Sequence, residues 1–314
     1  MQHPEPQNTS GEASLAEPPE DTQDKPFVLD NGQIRYLYFS FDFIQSAMRI
    51  SDPDTLDLRY TQKMMGFLLF NPNPRNIAVI GLGGGSIIKF CYRRLPLARL
   101  TAVEINPHVV ALRDEFCVPR DDGRLQTIHG DGAKFIAGRD HHIDALLVDA
   151  YDRDGMAPAL SSRDFVEDAL HSLAPGGVLV VNLAGYKEGF ASVVSEIIDV
   201  FDNRVLALRV REDQHHILFA FRDGPFPPQW RQMDARAEGL RRRFGLDFPA
   251  FSRKLEQASK TQLAWTLSTA EPVIDLDAQG DRMDLDRQLA AGHKRRARGA
   301  KKQRYEAGVR LGSA

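Results

Sequence analysis

The chain has 314 residues, 42% of them hydrophobic and 26% charged, with 24 glycines and 18 prolines; this ordinary globular composition excludes a wholly disordered or collagen-like chain. Forty basic against 43 acidic residues leave a formal net charge of −3, a balance that by itself predicts neither nucleic-acid nor membrane binding. No run approaches the ~18 apolar residues of a membrane span.

The first 25 residues are rich in Pro, Glu, Ser and Thr, carry six acidic side chains against Lys25 alone, and contain almost no large apolar groups. Such a segment buries too little surface to offset its ordering entropy, and 1–25 is expected to be disordered. It has no apolar h-region, which excludes a signal peptide and argues against a transit peptide. Asn31-Gly32 between apolar segments signals a hairpin, because both residues tolerate positive φ, so residues 27–50 read as two or three antiparallel strands. The pattern from Thr55 to Phe70 suits a helix stopped by NPNP. Together, 26–70 form a short β-rich lid plus a helix.

Strand and helix then alternate. Strands are expected at Ile77–Ile80, Leu100–Ile105, Leu125–His129, Ala145–Val148 and Val178–Asn182, and helices at Ile87–Arg94, from Pro107, at Ala133–Ala137, Ser162–Leu173 and Phe190–Phe201. Val205–Arg211 and His216–Phe221 read as a final antiparallel pair. Strict alternation predicts a doubly wound α/β fold, a mostly parallel sheet with helices on both faces, over 71–222. Beyond it, Trp230–Phe244 and Phe248–Ala258 read as two amphipathic helices within a C-terminal extension, 223–269. Residues 270–314 read as a largely disordered basic tail.

The glycine-rich turn Gly81-Leu82-Gly83-Gly84-Gly85-Ser86 lies between the first of these strands and a helix. Glycines let the backbone approach a ligand closely, and the helix N-terminus offers free N–H groups. Glu104 ends the next strand, 21 residues after Gly83, where a carboxylate can hold the two hydroxyls of a ribose. Asp131 closes the third strand, a position that reaches the adenine amino group in methyltransferase-type sheets and that also suits an N-cap. An acid after each of strands two and three suits S-adenosylmethionine or a relative better than NAD, for which G-L-G-G-G-S is an imperfect fingerprint. Asp149 and Asp152 follow the fourth strand, where open α/β sheets bind ligands. Either carboxylate can accept a proton from an amine nucleophile or hold an ammonium group. Asp149 stands out most clearly; Asp154 reads as part of a solvated loop.

At these residues the sequence resembles the spermidine synthase (polyamine aminopropyltransferase) family, from about Gln45 to Asn182. IAVIGLGGGS is similar to the family's VLxIGGGDGG, AVEINPHVV to its VEID-x-x-V, HGDGAKFI to its GDG-x-x-(F/Y) and DAYDRDGMAP to its DSSDPxGPA. Gln45 falls at the Gln of DGxxQ and Tyr60 at the Tyr of YxEM. The resemblance implies a metal-free transferase that moves an aminopropyl group from decarboxylated S-adenosylmethionine, as co-substrate, to a polyamine or other amine. It implies a nucleoside site made of Gln45, Gly81, Gly83, Gly85, Glu104, Asp131 and Gly132. Asp149 would be the catalytic acid/base, with Tyr60 and Asp152 lining the acceptor groove.

Gly84 stands where the family has the Asp that grips the donor's ammonium. Its loss removes a repulsion against intact S-adenosylmethionine and keeps a spermidine-synthase-like methyltransferase as the alternative. A catalytically silent nucleoside-binding interaction protein is the third reading. His141-His142 and His215-His216 lack metal-ligand spacing and read as surface or strand-end histidines. Cys91 and Cys117 make neither a disulfide framework nor a four-cysteine zinc site; both are expected on apolar helix faces in the core, and a reducing cytoplasm is the natural compartment. The run HKRRARGAKKQR (293–304) lacks interleaved aromatics and reads as a solvated tail rather than a nucleic-acid or acidic-lipid contact. A homodimer is left open.

Overall fold

The structure is a computed structural model that describes residues 25–40, 44–138, 142–152, 155–184, 187–210 and 215–260. The expected disordered N-terminus (but for Lys25), the basic tail, Arg153 and Asp154 lie outside the described residues.

Three antiparallel strands come first: β1 (Phe27–Asp30), β2 (Ile34–Tyr38) and β3 (Ile44–Arg49). The hairpin between β1 and β2 stands where Asn31-Gly32 placed it, but only Gly32 takes positive φ, +87°. Asn31 instead accepts the amides of Gln33 and Ile34 through Oδ1, an Asx-type turn. The helix expected over Thr55–Phe70 is shorter: α1 is Arg59–Met64, continued by a 3-10 turn at Met65–Leu69. Thr55 belongs to a turn whose N–H and hydroxyl both bond to Asp52. All five residues of the 3-10 turn are buried, with Gly66 set close against the Phe219 ring.

A seven-stranded sheet forms the centre. Its strands are β4 (Asn76–Ile80), β5 (Arg99–Glu104), β6 (Leu125–His129), β7 (Ile143–Val148), β10 (Leu173–Leu183), β11 (Val205–Val210) and β12 (His215–Phe221), in spatial order β11-β12-β10-β7-β4-β5-β6. A two-residue pair, β8 (Tyr151–Asp152) with β9 (Gly155–Met156), follows β7. Neighbours from β6 to β10 pair in parallel, while β12 pairs antiparallel with both β10 and β11. The sheet is therefore doubly wound and mostly parallel.

Alternate side chains on each strand enter opposite cores, the period-2 consequence of a pleated strand. Ile77, Val79, Ala145, Leu147, Val178 and Val180 face one layer, with α2 (Ser86–Arg94) and the C-terminal helices α7 (Trp230–Phe244) and α8 (Phe248–Lys260). Ala78, Ile80, Leu146, Val148, Leu179 and Val181 face the other, with α4 (Gly132–Ile136), α5 (Arg163–Ser172) and α6 (Lys187–Val200). Arg236 of α7 donates to the carbonyls of Leu69 and Phe70, and Arg243 to that of Pro72. These bonds satisfy carbonyls left at the end of the 3-10 turn.

Cys91 is buried as expected, but Cys117 is exposed. It sits in a turn at φ +55° after the short helix α3 (Pro107–Ala111). Its apolar neighbours Phe116 and Val118 take the inward positions and leave it outside. Among the described residues no helix is long and apolar enough to cross a membrane.

Candidate active site

β5 and β6 lie on one side of β4, β7 and β10 on the other. Successive connections thus diverge between β4 and β7, and a crevice opens at the carboxyl ends of these strands. A cavity of about 1110 Å³ occupies it.

The glycine-rich turn forms its floor. Gly81, Gly83 and Gly85 all have positive φ, +93°, +52° and +67°. At Gly81 a Cβ would stand 2.1 Å from the Asp149 carbonyl oxygen, so only glycine lets the ends of β4 and β7 close up. Glu104 sits on the wall with both carboxylate oxygens engaged. Oε2 accepts the Leu82 amide at 2.8 Å and Oε1 the Asn106 amide at 2.9 Å. Glu104 thus clasps the turn as well as facing the cavity, and its remaining lone pairs suit a ribose diol. Asp131 is the N-cap of α4, its Oδ1 accepting from Ala133 N–H at 2.8 Å. It lines the cavity together with Gly132 and, from β3, Gln45. Gly85 differs: its α-carbon faces Val118, and it serves as the left-handed cap of α2.

Gly84 does not line the cavity. A Cβ there would lie 2.6 Å from Ser46 Oγ and 2.8 Å from the Phe116 ring. Those two side chains occupy the space that an acidic residue would need.

Asp149 lines the same cavity, its backbone close against Gly81. Tyr60 Oη donates to its Oδ2 at 3.1 Å and Asn182 Nδ2 to its Oδ1 at 2.8 Å. Burial pushes its pKa up to about 6, against the two hydrogen bonds that favour the carboxylate, with the Glu104 charge adding to the rise. A carboxyl held near neutrality can both give and take a proton. Tyr151 Oη donates to the Asn182 carbonyl at 2.6 Å and accepts the Ala184 amide at 2.8 Å. Burial raises its pKa first, the Ala184 bond opposing and Asp149 adding to the rise, so the phenol stays neutral. Asp152 lies in β8, opposite Gly155.

Asn182 and His215 were not among the expected site residues. His215 lines the cavity and lies flat on the Tyr60 ring, with centroids 4.6 Å apart and planes 3° apart. Its Nδ1 is 2.7 Å from Asn182 Oδ1. The strand-end reading of His215 thus missed its contacts inside the cavity. An amide within the apolar run VLVVNL was the available signal, since a buried polar group needs a partner. Among the described residues no group of three or more His, Cys, Asp or Glu side chains is placed to hold a metal ion.

The chain matches the Spermine/spermidine synthase domain over residues 57–188. The polyamine aminopropyltransferase of Chromobacterium violaceum is 37% identical over 234 residues, which cover 74% of this chain and 90% of that protein. The chain belongs to the spermidine synthase family. It is accordingly an enzyme of the transferase class. Among solved structures, a probable spermidine synthase from Corynebacterium glutamicum superposes with a TM-score of 0.60 at 15% identity, over 82% of this chain and 95% of that one. Human methyltransferase-like protein 13 in complex with SAH gives 0.52 at 19% identity, over 70% and 97%. Both share the fold.

Proposed function

We propose that the chain transfers an aminopropyl group from decarboxylated S-adenosylmethionine to a polyamine or other amine. The observation that carries this reading is one cavity lined by Glu104, Asp131 and Asp149, the last bonded to Tyr60 and Asn182. Glu104 and Asp131 take the ribose and adenine, and Gln45 and the glycine turn hold the nucleoside between them. The amine nitrogen attacks the aminopropyl carbon bonded to sulfur; that carbon–sulfur bond breaks and methylthioadenosine leaves. Asp149 takes the proton that the new secondary ammonium sheds. Orientation supplies much of the acceleration, because two bound reactants no longer need to meet by diffusion.

Methyl transfer from intact S-adenosylmethionine is the second reading. The turn from Gly81 to Ser86 carries no acidic side chain, so none stands there to repel the carboxylate of the intact donor. Calorimetric titration with both donors and with methylthioadenosine, followed by product analysis with a diamine acceptor, tests the choice. Preference for the decarboxylated donor with formation of methylthioadenosine supports aminopropyl transfer. Preference for the intact donor supports methylation. Binding of either donor with no turnover of the diamine would rule out the diamine as the acceptor.

A further inference from the structure

The contacts around Asp149 return on themselves. Tyr60 and Asn182 hold its two oxygens, Asn182 reaches His215, and His215 stacks on Tyr60. A carboxylate oxygen only accepts hydrogen bonds, so Asn182 turns its NH₂ to Asp149 and its carbonyl oxygen to His215. The imidazole must then carry its hydrogen on Nδ1. With the hydrogen on Nε2 instead, two lone pairs would face each other across 2.7 Å. The amide would relieve this only by flipping its oxygen against the carboxylate. One amide therefore couples the histidine tautomer to the ionised form of Asp149.

We propose that His215 is a positioning residue for Asp149: its Nδ1–H, acting through Asn182, holds the amide in the orientation that keeps the carboxylate aimed and ionised. The proposal rests on reading Asp149 as the proton acceptor of the transfer. Among the described residues, Tyr60 from α1 and Asn182 from β10, with Asp149 behind it, contact the ring, and His216 on its own strand acts on it electrostatically. Burial, with His216 adding to it, lowers the His215 pKa to about 4, so the ring is neutral at pH 7. A neutral wall adds no positive charge beside an incoming ammonium.

Two measurements test this. In the ligand-free protein, ¹⁵N NMR of the histidine rings reads the tautomer directly. His215 is expected as Nδ1–H, with that preference lost in Asn182→Ala. An Nε2–H tautomer, or one that ignores Asn182→Ala, would overturn the proposal whether or not the protein turns over any amine. The second measurement is kinetic. His215→Phe keeps a flat ring against Tyr60 without the donor. It is expected to lower kcat by about tenfold, the effect of one hydrogen bond. KM for the amine should stay within about threefold, because the wall is kept. The acid limb of kcat should move to higher pH as Asp149 loses support for its charge. His215→Gln, whose NH₂ can donate in place of Nδ1–H, is expected to recover most of the loss. Combined with Asn182→Ala, His215→Phe should cost nothing further, since both act through one link. Independent, multiplying losses would mean that His215 acts elsewhere. Absence of any transfer in the wild type would fail the functional reading and leave the tautomer measurement to decide the proposal.

Discussion

The Asp149 carboxyl is where stability and chemistry oppose each other. Its folded pKa of about 6 stands above the ordinary 3.8, so the folded state holds this proton more tightly than the unfolded chain. The stabilisation from that proton is complete below the unfolded pKa and is lost as pH rises from about 4 through about 6. At ~1.4 kcal/mol per unit the ceiling is about 3 kcal/mol, and the opening to the cavity reduces it to about 1–2 kcal/mol. Asp149→Asn is therefore expected to raise the Tm at pH 7–8 by several degrees, with the difference vanishing near pH 4 in thermal melts. The same change should lower turnover by about 10²–10⁴, the usual weight of a positioned acid/base. In the wild type, kcat/KM should fall with unit slope below pH 6 as the acceptor becomes protonated. Glu104 carries a different double duty. Glu104→Gln leaves one acceptor for the Leu82 and Asn106 amides and turns an NH₂ toward the other, so it loosens the glycine turn as well as weakening the ribose contact. Donor affinity by calorimetry is expected to drop about 10–100-fold, with the variant still folded.

The glycine turn shows what a motif can and cannot disclose. Its place after a strand, the acid ending the next strand and the acid capping α4 were all legible, because strand period and capping chemistry are local. Local patterns say nothing of what a missing side chain would meet. Gly84 reads as a donor-facing position in sequence, yet Ser46 and Phe116 stand against it, and both come from segments distant in the chain. Gly84→Ala is accordingly a packing change before it is a specificity change. It should cost about 1–3 kcal/mol, the usual cost of overpacking, read as a lower denaturation midpoint, with Ser46→Gly in the same chain restoring part of it. The element boundaries that shifted have similar causes. Met65–Leu69 tightened into a 3-10 turn where Gly66 meets Phe219, and Cys117 moved outward because Phe116 and Val118 claimed the interior. The partnership of Asn182 with His215 was illegible for the same reason: it is a matter of which strands neighbour each other in the sheet.

The alternation of strands and helices was enough to place the sheet and its carboxyl edge, and the helices after residue 222 read as a C-terminal extension. They pack into the layer on one face of the sheet. Phe244 of α7 stands 6.1 Å from Phe90 of α2, ring to ring, and Lys63 of α1 lies over the Phe251 ring of α8 at 4.5 Å. Met233, Leu240, Phe244, Phe248, Phe251 and Leu255 are all buried in the same core as β4, β7 and the 3-10 turn. At ~1.5–3 kcal/mol per buried apolar side chain, these six contribute on the order of 10 kcal/mol, comparable to the whole stability of an ordinary domain, ~5–15 kcal/mol. A chain ending after Arg222 is therefore expected not to fold, even though every proposed site residue remains in it. Near-ultraviolet circular dichroism should show the loss of fixed aromatic packing. A chain ending after Lys260 keeps all the described elements, and its Tm and donor affinity should match those of the full chain. Phe251→Ala gives the graded version, with about 3–5 kcal/mol lost in denaturant unfolding. A chain ending after Arg222 that melted cooperatively and bound the donor would show that the sheet is complete without α7 and α8. A fall of several degrees on ending after Lys260 would instead give residues 261–314 a share in the fold.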